Sequence, residues 1–292
     1  MYYFVSQLLN GLGLGSIYAL VALGYSMVYG IVKLINFAHG DIIMVGGYAI
    51  FQLLSWNFPL WVAVLGSVAF CAVVGMFTER VAYHRLLVKD APRIALLITA
   101  IGVSIFLQNL YQVIYKPNAQ SMPKMFTLPA VTIGGVPVSN TLLNIAVALA
   151  MMLCLQLLVK KTKIGKAMRA TSEDPGAAIL MGVDTNKVIL FTFAVGSALA
   201  AVGAVLYSNT YLEIKPTMGG MLGLKAFVAA VFGGIGSIPG AMVGGLVLGV
   251  AESLNNGYGY STLTDAVVFG MLILILLIKP SGLFGRNVKE KV

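Results

Sequence analysis

Long apolar runs, broken by short polar ones, recur from one end of the chain to the other. Taking about 20 apolar residues per bilayer crossing, the pattern predicts spans near residues 5–32, 42–55, 60–77, 94–115, 142–159, 188–208, 222–232, 239–254 and 265–278. The stretch 222–232 is too short for a full crossing and the second run begins in polar residues, so the count is eight or nine. No segment between them is long enough for a soluble domain. Residues 1–292 therefore read as one membrane domain, an all-α polytopic helical bundle with some short or broken spans. The opening MYYFVSQLLNGLGLG lacks a basic start and a cleavage-like site, and reads as part of the first span rather than a secretory signal.

Composition agrees. The chain is 59% hydrophobic and only 10% charged, whereas soluble domains carry about 25% charged residues. The formal net charge of +9 would suit nucleic acid or acidic lipid, but its placement says otherwise. Arg80, Arg85, Lys89 and Arg93 share one loop, Lys160, Lys161, Lys163, Lys166, Arg169 and Lys187 another, and Lys279, Arg286, Lys289 and Lys291 the tail. Basic loops between apolar spans mark the cytoplasmic side. The loops 78–93 and 160–187 and the C-terminus are thus expected in the cytoplasm, and nine spans put the N-terminus outside. The basicity is a topology signal, with membrane lipid as the surroundings and no nucleic-acid partner. Residues 116–140 become the long external loop, either a surface that meets another protein or a plain connector.

Small residues four apart, as in Gly11 and Gly15, Gly240 and Gly244, Gly245 and Gly249, and Gly196 with Ala200 and Ala204, make flat stripes on which helices pack closely in lipid. No phosphate-binding G-x-x-x-x-G-K-[ST] loop or dinucleotide-binding turn is present. Cys71 and Cys154 fall inside apolar spans and read as small buried hydrophobes.

Three polar constellations interrupt this background. In KLINFAHGDIIMVGGYA, residues 33–49, Asn36, His39 and Asp41 sit between apolar runs with Gly40, Gly46 and Gly47. An unwound polar element at membrane depth is tolerated only where protein or water satisfies it, so this stretch either lines a translocation path or forms a cytoplasmic turn with Asp41 capping the next span. In residues 160–187, Asp174 and Pro175 make a helix start and Gly182 a stop. The short apolar helix between them packs on its own bundle or enters a groove on a partner. In residues 223–253, two apolar pieces flank Gly233, Gly234, Gly236, Ser237, Pro239 and Gly240. A Gly-interrupted segment in each half of a chain is expected where a transporter repeats a unit around a central site. Glu252 is the best membrane-embedded ionisable candidate here, unless it is solvated at the external interface, as is expected of Glu213, Lys215 and Asp265. No nucleophile turn, catalytic set or metal-ligand spacing appears, so no enzyme activity, metal or cofactor is expected.

The stretches INFAHGDIIMVGGY, GKAMRATSEDPGAAILMGVD and KAFVAAVFGGIGSIPGAMVGGLVLG, in that order, resemble the permeases of branched-chain amino-acid ABC importers, and among them the LivH-like subunit. The resemblance covers essentially the whole chain. It implies the ABC-importer permease fold and a multi-pass protein of the bacterial inner membrane that translocates leucine, isoleucine or valine delivered by a periplasmic or lipid-anchored substrate-binding protein. It further implies pairing with a second, homologous permease as a heterodimer, and docking of two ATPase subunits that carry out the ATP hydrolysis. Gly165, Arg169, Ala170, Glu173, Asp174, Ala177 and Gly182 match the family's ATPase-facing loop. Asn36, His39, Asp41, Gly233, Gly234 and Glu252 are the candidates for the translocation path. The alternatives are a urea or short-chain amide permease of the same family, or a secondary transporter using Asp41, His39 or Glu252 as proton or ion sites.

Overall fold

The computed structural model describes residues 2–285 except 90, 127, 128, 130, 134 and 135. The basic tail expected in the cytoplasm, with Arg286, Lys289 and Lys291, lies outside the described residues. In chain order the helices are α1 (Tyr2–Val32), α2 (His39–Ser55), α3 (Leu60–Thr78), a π-helical turn (Glu79–Tyr83), α4 (His84–Val88), α5 (Arg93–Tyr115), α6 (Ser139–Lys161), α7 (Lys163–Glu173) and α8 (Pro175–Leu180). They continue as α9 (Thr185–Tyr211), α10 (Met218–Gly233), α11 (Ile238–Gly257), a 3-10 turn (Ser261–Leu263) and α12 (Thr264–Ile278). Short strands β1 (Gln120–Ser121) and β4 (Glu213–Ile214) pair antiparallel, as do β2 (Thr132–Ile133) and β3 (Val136–Pro137).

Among the described residues, seven helical stretches are long and apolar enough to cross a bilayer: Tyr2–Val32, Leu60–Val88, Arg93–Tyr115, Ser139–Lys161, Thr185–Tyr211, Ile238–Gly257 and Ser261–Ile278. Two more apolar helices, α2 and α10, have 17 and 16 residues, or about 25 and 24 Å at 1.5 Å per residue, short of a hydrocarbon core of roughly 30 Å. The bundle thus has short members where the sequence pattern expects them. One expected loop is largely absent. Much of 78–93 continues α3 through the π-helical turn into α4, which buries Glu79 and Tyr83. The helix runs on because Tyr83 is buried against Phe193 of α9 and donates to Asn36, which holds the π-helical turn on the bundle.

The central helix is α1, which packs against α6, α9, α10 and α11. It runs antiparallel to α11, and glycine sets the spacing. A Cβ on Gly15 would lie 2.8 Å from the Gly245 carbonyl oxygen, and one on Gly11 would lie 2.6 Å from the Cα of Val250. The expected small-residue stripes therefore meet backbone to backbone. The outer helices α3, α5, α6 and α12 are mostly exposed within the single chain and present side chains such as Phe70, Phe106, Val113, Leu153 and Leu277 to their surroundings. Cys71 is buried as expected, whereas Cys154 lies exposed on α6, because α6 covers the bundle with only one narrow face, at Thr141, Asn144, Ala148 and Leu155.

Candidate functional site

After Val32 the chain turns back on itself. Lys33 adopts a left-handed conformation (φ 56°), and the next residues return into the bundle until His39 lies against Gly24, where a Cβ would stand 2.8 Å from the imidazole Cε1. Gly24 precedes Val32 by eight residues, about 12 Å along the helix, and also faces Gly196, near the middle of α9. The α2 helix therefore starts inside the bundle. The α10 helix starts beside it: a Cβ on Gly40 would lie 2.7 Å from Gly223 Cα, and one on Gly219 would lie 2.8 Å from Asp41 Cα. The two short helices thus cross near their first turns, one from each half of the chain.

Asn36, His39 and Asp41 are all buried at this crossing. Asn36 Oδ1 accepts hydrogen bonds from the Ala38 backbone N–H at 3.1 Å and the Tyr83 hydroxyl at 2.8 Å, which fixes the turn into α2. Asp41 Oδ1 accepts from Gln108 on α5 at 2.9 Å. His39 packs edge-on to Tyr25, ring centres 4.7 Å apart. Among the described residues, His39 Nε2 and Asp41 Oδ2 have no partner. Asp41 is not the helix cap. The helix begins earlier, with Ala38 at the capping position and no side-chain cap, so Asp41 falls within the first turn. Nor is the segment a plain turn at the end of the bundle, since all three polar side chains are buried and contact α1, α5 and the π-helical turn.

Glu252 occupies a second place. It lines a cavity of about 480 Å³ formed by Leu14 and Tyr18 of α1, Tyr207 and Tyr211 of α9, Lys215 and Thr217, the Met218–Lys225 face of α10, and Glu252 and Asn256 of α11. One Glu252 oxygen accepts from Lys225 at 2.8 Å and the other from the Tyr18 hydroxyl at 2.8 Å. Lys225 also pairs with Asp265, the start of α12, at 3.0 Å. Asp265, expected to be solvated, is thus half-exposed but ion-paired, because α12 packs on both α10 and α11. Lys225 escaped the reading of the sequence. Its signal was a lone ammonium in an apolar run, but only the fold shows that two carboxylates from other helices converge on it. Gly233 and Gly234 stand apart. Gly233 packs on the backbone of Gly240, and Gly234 (φ 105°) on Gly285. Gly240 precedes Glu252 by twelve residues, about 18 Å along α11.

The third place is an elbow between α6 and α9. The Thr162 hydroxyl accepts the Gly165 backbone N–H at 3.0 Å to start α7, a helix that the sequence reading did not separate. Gly165 is buried against the carbonyls of Leu158 and Val159, which leave no room for a Cβ. The Arg169 guanidinium donates to the carbonyls of Val159 and Lys160, capping the end of α6. Ala170 and Glu173 are exposed. The Asp174 carboxylate accepts the Ala177 N–H at 3.0 Å with Pro175 leading α8, and Gly182 ends the turn at φ 80°, as the residues predicted. Ala178 faces the bundle, while Leu180 and Met181 are 89% and 84% exposed. Asp184 caps α9, and the hydrogen bond from the Lys187 side chain holds its carboxyl below the usual carboxylate range.

The profile of a family described as branched-chain amino acid transport system / permease component matches residues 7–277. The high-affinity branched-chain amino acid transport system permease protein LivH of Salmonella typhimurium is 41% identical over 99% of this chain and 98% of its own. The corresponding protein BraD of Pseudomonas aeruginosa is 42% identical over 100% and 99%. A probable branched-chain amino acid transport permease protein LivH of Methanocaldococcus jannaschii is 30% identical over 93% and 89%. No solved structure matches significantly.

Proposed function

Because this chain belongs to the branched-chain amino acid transport permease family, we propose that it is the LivH-like membrane subunit of an ATP-driven importer of leucine, isoleucine and valine. The end-to-end likeness to LivH and BraD carries the reading. The family is one of transport subunits rather than enzymes, and ATP hydrolysis belongs to separate ATPase chains.

In this proposal residues 1–292 are one permease domain in a bacterial cytoplasmic membrane, with the C-terminus and the 160–187 elbow in the cytoplasm. The chain pairs with a second, homologous permease, docks two ATPases and receives substrate from an external binding protein. Ala170, Glu173, Asp174, Ala177 and Gly182 form or border the ATPase-facing surface. Gly165 and Arg169 serve it from behind by holding α7 against α6. The exposed Leu180 and Met181 at the tip of a short capped helix support this docking part, since a side chain that is apolar and nearly fully exposed has its burial still to gain. The path is proposed to run from the cavity at Glu252 past the α2–α10 crossing at Asn36, His39 and Asp41 to the turn at Gly233 and Gly234. Closure of the ATPases on ATP would move α8 and, through it, α9, whose other end lines the cavity. Coupling requires that the two states contact the ligand differently.

The complex, purified with its ATPases and reconstituted in lipid, is expected to hydrolyse ATP faster when leucine-loaded binding protein is added. Urea-loaded or amide-loaded protein should not substitute. Uptake that survives ATP depletion but collapses with the proton gradient would instead establish ion-coupled transport.

A further inference from the structure

The cavity walls carry a charge pattern that neither an anion nor a cation alone would satisfy. Lys225 and Glu252 line it 2.8 Å apart. They are only 12% and 9% exposed, in a place where unpaired ionisable groups are expensive. Around them stand three tyrosines, Tyr18, Tyr207 and Tyr211, and an apolar wall of Leu14, Met218, Met221 and Leu222. The size, about 480 Å³, falls within the roughly 300–1,000 Å³ usual for small-molecule sites.

Hydrogen-bond capacity sharpens the picture. An ammonium has three donors, and Lys225 uses them on Glu252 and Asp265, leaving one. A carboxylate accepts about four hydrogen bonds, and Glu252 takes two, from Lys225 and Tyr18, leaving two. A solute carrying both charges on neighbouring atoms can use the spare donor and the spare acceptors together without breaking the pair. With Lys215 also on the wall, two lysines balance Glu252 and Asp265, so a solute with one charge adds an uncompensated ion to a partly desolvated site. A neutral polar solute gains no ionic contact from either group.

Resting on the importer reading above, we infer that this cavity is a weak site within the permease for the zwitterionic backbone of an α-amino acid. Lys225 receives the carboxylate, Glu252 the ammonium, and the Leu14–Met221–Leu222 wall the aliphatic side chain. Because Lys225 and Glu252 stay paired to each other, the site holds its ligand loosely, as a conduit must. It adds a check on the charge pair after the binding protein has released its cargo. Asp265, half-exposed, competes for Lys225 and sets how readily the carboxylate lands.

The test is saturation-transfer NMR on the complete importer in lipid nanodiscs, without binding protein. The probes are leucine, 4-methylpentanoate, which lacks the ammonium, and leucinamide, which lacks the carboxylate. Leucine is expected to saturate at millimolar concentration, and each analogue to require about tenfold more. Glu252→Gln, which keeps the side-chain shape and the Lys225–Asp265 pair, should bring 4-methylpentanoate level with leucine while leucinamide stays behind. Equal saturation by all three probes in the unmodified complex overturns the inference, and so does a preference that Glu252→Gln leaves unmoved. If Glu252→Gln does not yield a folded complex, the ranking of the three probes on the unmodified importer decides. Binding-protein-driven leucine uptake, measured on the same preparation, separates the two readings. Uptake without the ranking removes only the site, and the ranking without uptake removes only the importer assignment.

Discussion

Close approach between helices in this protein depends on single glycines. At Gly15 a side chain would meet the Gly245 carbonyl at 2.8 Å, and backbone cannot move aside as a flexible side chain can. Gly15→Val should therefore destabilise the bundle by about 3 kcal/mol or more, the upper range of overpacking. Gly102→Ala is the internal control: nothing lies within 4 Å of its Cβ position, and removing a mid-helix glycine stabilises by about 0.5–1 kcal/mol. Thermal denaturation followed by size-exclusion chromatography compares them, and equal midpoints for the two variants would contradict the packing described. The stripe that makes this contact was legible from the spacing of Gly11 and Gly15 and of Gly245 and Gly249. Glu252 was legible as an ion in an apolar span. Its partner Lys225 was not, because a charge pair between residues 27 apart is a property of how α10 and α11 lie together.

At the scale of elements, local rules wrote α8 completely. Asp174 caps it, Pro175 opens it and Gly182 closes it, all within nine residues. Asp174→Ala should cost the helix about 1 kcal/mol, the usual worth of such a cap. Replacing residues 174–182 by a Gly/Ser linker should abolish uptake and the stimulation of ATP hydrolysis by binding protein while leaving the permease folded. Unimpaired uptake by the linker variant would count against α8 as the ATPase contact. The α2 helix shows the opposite case. Its polar entry, Asn36 to Asp41, fits either a surface turn or a buried break when read locally. The decision comes from Gly24 and Gly196, which leave room for the His39 ring, and from Tyr83 and Gln108, which reach Asn36 and Asp41 from other helices.

At the scale of the molecule, seven long apolar helices and two short ones among the described residues make an integral membrane protein, and the placement of Lys and Arg sets its expected orientation. Cysteines introduced as Asn57→Cys, in the turn before α3, and Lys163→Cys, at the start of α7, should react with a membrane-impermeant maleimide from opposite sides. Asn57→Cys should label in intact cells and Lys163→Cys only after permeabilisation. The reverse pattern would invert the topology and remove the 160–187 elbow from reach of any cytoplasmic ATPase. What the sequence by itself determined is what depends on near neighbours along the chain: the apolar runs, the basic stretches between them, the small-residue stripes and the capped α8 helix. Hydropathy, charge and capping act within a few residues, so they can be read in one dimension. Only the tertiary structure decided that α2 and α10 cross at their first turns, that much of the 78–93 loop is helix, and that Lys225, Glu252 and Tyr18 share one cavity with Asp265 paired to Lys225 beside it. Those arrangements depend on helices far apart in the chain meeting face to face at their glycines, and no local pattern encodes that geometry.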